Sequence, residues 1–265
     1  MKRGKSMILY NKIGDGYDNT RKADQYIVSR LISHLNLSEG EKCLDIACGS
    51  GNYAIALAKR GLDMYGIDES VAMIKKARKK NSKISWAITN AESLPFESCF
   101  FDGIICTLAI HHFSSMASAF NEAYRTLKSG RFVIFTSTKE QMEYYWLNEY
   151  FPKTLSESSK QMPKFNDIIN ELYNAGFYST IHEKYDVRDD LNDLFLYSGK
   201  NRPELYLDPV IRAGISSFAN SVNKNEINEG VNKLANDIKT GKINKIKQLY
   251  ENSHGEYLFI VAHKA

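Results

Sequence analysis

The chain has 265 residues, 43% of them hydrophobic, enough apolar side chains for one large or two small domains with a sizeable core. That composition excludes a disordered, collagen-like or disulfide-stapled chain. Thirty-five basic against thirty-one acidic side chains leave a net charge of only +4, too mild to imply a nucleic-acid partner by itself.

The four cysteines, Cys43, Cys48, Cys99 and Cys106, match no zinc spacing and read as buried thiols of a reducing compartment. The basic N-terminus MKRGKSMILY has no apolar run behind it, so it is not read as a signal peptide. No apolar stretch is long enough to span a membrane, and a cytoplasmic protein is expected.

In chain order, Ile27, Leu31 and Leu35 recur at helical spacing before a Ser38-Glu39-Gly40 turn. Residues 42–47 form a short apolar strand, followed by a glycine-bearing turn and a helix from about Asn52 to Arg60 that Gly61 closes. Residues 64–67 read as a second strand. Val71 to Lys80 is a helix whose basic residues Lys75, Lys76, Arg78, Lys79 and Lys80 make a solvated face. Ile84, Trp86 and Ile88 alternate as a third strand, and Phe101 to Leu108 is a fourth, apolar enough to be buried on both faces. Phe120, Ala123, Tyr124 and Leu127 mark a helix, and Phe132 to Thr136 a fifth strand. Repeated β-α-β units of this kind predict a doubly wound parallel sheet.

After Thr138 the rhythm breaks. Ile168, Leu172 and Ala175 predict a helix ending at Gly176, and Phe177 to Val187 a strand. Residues 189–250 read as helical, with Ile227, Val231, Leu234 and Ile238 on one face, and residues 256–262 return as a final strand.

The chemistry concentrates where the first strand ends, in Asp45-Ile46-Ala47-Cys48-Gly49-Ser50-Gly51. Small residues there let backbone N–H groups approach a ligand at a helix N-terminus. Asp68 ends the second strand, where a carboxylate can accept both hydroxyls of a ribose, and Asn90-Ala91-Glu92 follow the third, where an adenine would lie. Gly49-x-Gly51-x-x-Ala54 also fits a nicotinamide-dinucleotide turn loosely. Asp45 would set negative charge beside that ligand's pyrophosphate, whereas an ammonium or sulfonium suits it, which favours S-adenosylmethionine.

The ordered set LDIACGSG, GIDES, NAESLPF, FDGIICTLAIHHF and RTLKSGRFVIF resembles the motifs of class I S-adenosylmethionine-dependent methyltransferases, in particular the small-molecule, type 11-like group. The resemblance covers residues 10–138 and extends to YLFIVAHKA in outline. It implies a doubly wound, mostly parallel seven-stranded sheet, with a mainly helical lid built by insertions after the fifth and sixth strands. The expected division is a cofactor-binding core with an N-terminal helical segment over residues 1–138, lid insertions over 139–165 and 189–254, and the remainder of the sheet over 166–188 and 255–265.

The same resemblance assigns roles. Ala47, Gly49 and Gly51 form the methionine-side loop and Asp45 orients the amino group; Asp68, with Glu69 and Ser70 beside it, binds the ribose. Asn90 accepts from the adenine amino group, Ala91 offers its N–H, Glu92 adjoins them and Met73 packs near the ring. Residues 10–21 are similar to the family's N-terminal segment, in which Arg21 pairs with the cofactor carboxylate and Tyr17 closes over it. The chain departs from the family in carrying Ala47 where glycine is usual, Asn90 where aspartate is commoner, and the single Gly130 before the fifth strand.

A sulfonium methyl is already activated, so the protein's chief task is to hold donor and acceptor aligned. A base is needed only for an acceptor that keeps its proton, and His112 or His111 is the candidate; the alternative is that the pair caps a helix. No metal site is expected. Tyr144, Tyr145 and Trp146 suggest an apolar acceptor pocket, and Arg202 and Arg212 could meet an acidic substrate. The function expected is methylation of a small molecule, the runners-up being an RNA-directed methyltransferase and a non-catalytic cofactor-binding protein.

Overall fold

Seven strands form one sheet in the order β3-β2-β1-β4-β5-β7-β6 in the computed structural model, which describes residues 17–265. The strands are β1 (Lys42–Ile46), β2 (Asp63–Asp68), β3 (Ser85–Ile88), β4 (Phe101–Thr107), β5 (Leu127–Thr136), β6 (Ser179–Tyr185) and β7 (Tyr257–Lys264). Neighbouring strands are parallel from β3 through β5, and β7 runs antiparallel to both β5 and β6. The mostly parallel, doubly wound sheet is therefore as expected. Residues 10–16 of the N-terminal segment lie outside the described residues.

Successive strand residues point to opposite faces, so the alternate apolar positions fill two cores. Cys43, Ile105, Val133 and Phe135 pack on one side with helices α2 (Gln25–Leu35) and α3 (Asn52–Ala58); a single turn, α1 (Tyr17–Thr20), precedes them. Leu44, Ile104, Phe132 and Ile134 pack on the other with α5 (Met116–Thr126) and α8 (Phe165–Asn174). Helix α4 (Val71–Lys80) starts on Ser70, whose hydroxyl caps Met73 N–H, and ends in basic residues that suit the negative pole of its dipole.

Three boundaries differ from expectation. Leu127, read as the end of a helical stripe, instead begins β5, and α5 stops at Thr126. The pairing of β5 with β4 shifts register between Phe101 and Gly103, and Gly130 at φ +148° lies so close that a Cβ there would fall 2.4 Å from the Asp102 carbonyl oxygen. One glycine thus suffices for this approach. The stretch 189–254 begins not as long helices but as 3-10 turns and the short helices α9 (Pro209–Ala213) and α10 (Ser216–Ala219). Only α11 (Lys224–Lys239) and α12 (Lys242–Leu249) are extended, separated by Gly241 at φ +74°. The insertion after β5 contributes α6 (Lys139–Glu143) and α7 (Pro152–Ser159). Of the cysteines, Cys43 and Cys106 are buried, Cys48 is half-buried and Cys99 is exposed, so the expectation of buried thiols fails at Cys99. Among the described residues no helix is long and apolar enough to cross a membrane.

Because any Cβ at position 130 meets backbone rather than a movable side chain, Gly130→Ala is expected to cost more than about 1 kcal/mol. Urea unfolding should show a lower midpoint with unchanged slope.

Candidate functional site

The turn leaving β1 alternates left-handed residues: Ala47, Gly49 and Gly51 have φ of +57°, +55° and +78°. The path aims consecutive amides at β2. Cys48 N–H donates to the Ile67 carbonyl at 2.8 Å and Gly49 N–H to Asp68 Oδ2 at 2.9 Å. Asp68 Oδ1 accepts from Ser70 N–H at 2.8 Å, so one carboxylate joins the glycine turn to the start of α4. Burial raises the Asp68 carboxyl while these two N–H groups pull it back down.

A cavity of about 1060 Å³, open to solvent, lies over this turn at the carboxyl edge of the sheet. Of the residues expected there, Tyr17, Arg21, Ala47, Gly49, Asp68, Glu69, Met73, Asn90, Ala91, Glu92 and His112 line it. Asp45 and Gly51 do not. Gly51 faces Trp86, whose ring a Cβ would meet at 2.4 Å, so its service is to packing. Asp45 is fully buried, and burial together with the Asp68 charge raises it well above the usual carboxyl range against the pull of the Ala54 N–H. Asn90 and Glu92 serve the surrounding loops: Asn90 Oδ1 accepts from Glu92 N–H at 3.0 Å, and Glu92 Oε1 accepts from Ser114 and Ser115 N–H at 2.7 and 2.9 Å.

The donor and acceptor set fits the adenosylmethionine expected from the sequence. Asp68 reaches the cavity from the end of β2, Met73, Ile67 and Ala91 give it apolar surface, and the left-handed turn bares Gly49 to it.

Arg21 departs from expectation. Its guanidinium pairs with Asp193, Nε to Oδ1 at 2.6 Å and Nη2 to Oδ2 at 3.3 Å, and the Tyr53 hydroxyl donates to Oδ2 at 3.0 Å. Asp193 comes from the second insertion yet lines the first cavity. Its neighbours are strapped alongside: Asn192 N–H donates to Asp24 Oδ2 at 3.1 Å and Leu194 N–H to the Thr20 carbonyl at 2.9 Å. No local signal marks Asp193 in the sequence, since its partners lie 172 and 140 residues away. Lys80, read as part of a solvated face, donates to Asp18 at 2.9 Å, Ser50 at 2.9 Å and Asn52 at 2.7 Å, tying α1 and α4 to the turn.

A second cavity of about 850 Å³ adjoins the first and shares Tyr17, Arg21, Leu108 and His112 with it. Both insertions wall it, through Met142, Ser158, Gln161 and Met162 from one and Phe195, Leu196, Tyr197, Ile215, Ser217 and Asn220 from the other. The aromatic trio does not. Tyr145 and Trp146 are buried in the helical core, with the Tyr145 hydroxyl 2.7 Å from that of Tyr206, and the exposed Tyr144 stacks on His254. Arg202 and Arg212 donate instead to the carbonyls of Leu191 and Tyr206.

His111 and His112 lie with ring centroids 3.9 Å apart, in the 3-10 turn after β4. Burial pushes His112 down to about 4, and burial aided by His112 takes His111 well below the usual imidazole value. Both are neutral at pH 7. Among the described residues no cluster of His, Cys, Asp or Glu could hold a metal ion.

Residues 44–135 match the methyltransferase domain family. The chain is 34% identical, over 92% of its length and 99% of the other, to a crystal structure from Anabaena variabilis provisionally described as a methyltransferase of an antibiotic-biosynthesis pathway, with a TM-score of 0.84. It is 24% identical over 210 residues to the demethylmenaquinone methyltransferase of Anoxybacillus flavithermus, covering 89% of that protein. It is 30% identical over 139 residues to the chloroplastic 2-phytyl-1,4-beta-naphthoquinone methyltransferase of Arabidopsis thaliana, of which the match spans 53%.

Two outcomes test the site's energetics. Alanine in the left-handed region carries a steric cost that glycine lacks, so Ala47→Gly should raise the melting temperature, by up to about 1 kcal/mol of stability. His112 binds its proton less readily folded than unfolded, so its contribution is complete above about pH 6.5 and is lost as pH falls toward 4. Chemical denaturation of His112→Asn should show a shallower loss over that window than the parent protein.

Proposed function

The chain belongs to the S-adenosylmethionine-dependent methyltransferases, and from that premise we propose that it methylates an uncharged small molecule held in the second cavity. When bound, the cofactor supplies a methyl group already activated on a sulfonium sulfur. In this reading Asp68 and Glu69 hold the ribose, Asn90, Ala91 and Met73 the adenine, and Gly49, Tyr17 and Arg21 the amino-acid end.

One observation carries the proposal. The two cavities share Tyr17, Arg21, Leu108 and His112 in their walls, which sets ligands in each beside the same four side chains. Holding two reactants in line across such a junction is the larger part of what this reaction asks of a protein. Leu108, Phe195 and Leu196 exclude water there, and Ser137, Ser217, Gln161 and Asn220 offer hydrogen bonds that orient an acceptor.

His112 serves as an acceptor of a hydrogen bond rather than as a strong base. With its pKa near 4 it stays uncharged at working pH, far from the matched value an efficient general base needs. Among the described residues the charged side chain on the second cavity's wall is Arg21, already neutralised by Asp193, which favours an uncharged acceptor over a phosphorylated one or RNA. Two of the curated relatives are named for demethylmenaquinone and a phytyl naphthoquinone, which supports an uncharged acceptor for this chain as well.

Calorimetry with S-adenosylmethionine and S-adenosylhomocysteine tests the premise; binding of NAD in their place would overturn it. Ser158→Phe, which fills part of the second cavity, should abolish transfer of a tritiated methyl to uncharged acceptors while leaving the S-adenosylhomocysteine dissociation constant within about twofold. Undiminished turnover in that variant would move the acceptor elsewhere.

A further inference from the structure

The amino group of the cofactor's methionine end was assigned from sequence to Asp45, but that side chain is wholly buried and does not line the cavity. A different acid does. Asp193 presents a carboxylate to the same cavity while its side chain is only 2% exposed, and Arg21 beside it presents a guanidinium. The two contacts between them use two of the five N–H donors that a guanidinium carries. The carboxylate receives those two and the Tyr53 hydroxyl, which leaves one of its roughly four acceptor positions.

We propose that Asp193 and Arg21 together form a receptor for the zwitterionic end of the cofactor, Asp193 taking the ammonium and Arg21 the carboxylate. The inference rests on the cofactor reading above and adds a residue to it. An alternating square of two positive and two negative groups lets each buried charge keep its partner while gaining a second of opposite sign. Neither side chain then has to be stripped of its counter-charge on binding, a loss that is costly in a buried site. Tyr53 fixes one Asp193 oxygen, and the flanking bonds Asn192 to Asp24 and Leu194 to Thr20 hold the backbone that carries it. The carboxylate is therefore held in place before the ligand arrives, which reduces the ordering cost of binding.

Three ligands separate the groups involved: S-adenosylhomocysteine, its deaminated analogue that keeps the carboxylate, and 5′-methylthioadenosine, which lacks the whole amino-acid end. Wild-type protein should bind the first roughly tenfold or more tighter than the second, the size expected of a charge-assisted contact. In Asp193→Asn that preference should vanish, the deaminated analogue should bind no more weakly than to wild type, and affinity for 5′-methylthioadenosine should stay within about twofold. Equal loss for all three ligands would make Asp193 merely structural, and an unchanged preference for the ammonium would place its partner elsewhere; either result overturns the proposal. Should Asp193→Asn fail to fold, Asp193→Glu is read in its place, where a carboxylate displaced by one methylene must alter the preference; an unaltered one overturns the proposal equally. Wild-type protein that binds none of the three would instead overturn the cofactor reading itself.

Discussion

The turn after β1 has to do two things within five residues: end a buried strand and start a helix while pointing two amides at the neighbouring strand. Only alternating left-handed residues meet both demands, and Ala47, Gly49 and Gly51 supply them. From this turn follow the bonds to Ile67 and Asp68, and through Asp68 the start of α4. A larger side chain at Gly49 would enter the first cavity, and one at Gly51 would strike Trp86. Alanine at position 47 is therefore not a mild replacement for glycine; it holds a conformation that its own Cβ resists.

The second cavity depends on how the sheet closes. β7 enters antiparallel between β5 and β6, and its first residue, Tyr257, lies on Phe135 and against Tyr197. The aromatic residues of the insertions join them to each other, Tyr145 packing on Tyr197 and Trp146 on Tyr150 and Tyr206, and Tyr197 in turn meets the sheet at Tyr257. That is why aromatic density did not identify the pocket wall. Tyr145 and Trp146 bury their area elsewhere, and the rings that do face the cavity, Tyr17, Phe195, Tyr197 and Tyr257, are scattered along the chain among serine, amide and methionine side chains.

The first cavity is lined by the acids Asp68, Glu69 and Glu92, but on the second cavity's wall charge is cancelled. Arg21 is paired, both histidines are neutral, and Lys80 spends its donors on Asp18, Ser50 and Asn52 rather than on solvent. Such a site adds little pull on a charged acceptor and leaves rate to rest on proximity and water exclusion. The strap of residues 192–194 also gives the two cavities a common wall, because Asp193 faces the first and Phe195 and Leu196 the second.

The sequence by itself determined the parallel half of the sheet, the glycine turn and the acid at the end of β2, because each depends on contacts within a short stretch. Strand burial, helix periodicity and left-handed turns are local constraints that a reader of residues can apply directly. It located Gly49, Asp68, Asn90 and Ala91 at one edge for the same reason: βαβ geometry brings every strand's carboxyl end to the same side. Tertiary structure alone decided the rest. Asp193 meets Arg21 and Tyr53 across gaps of 172 and 140 residues, and no periodicity links positions so far apart. Whether Tyr145 faces a ligand or another ring, and whether His112 can hold a proton, depend on what surrounds them after folding, since burial is a property of the assembled core and not of any segment in it.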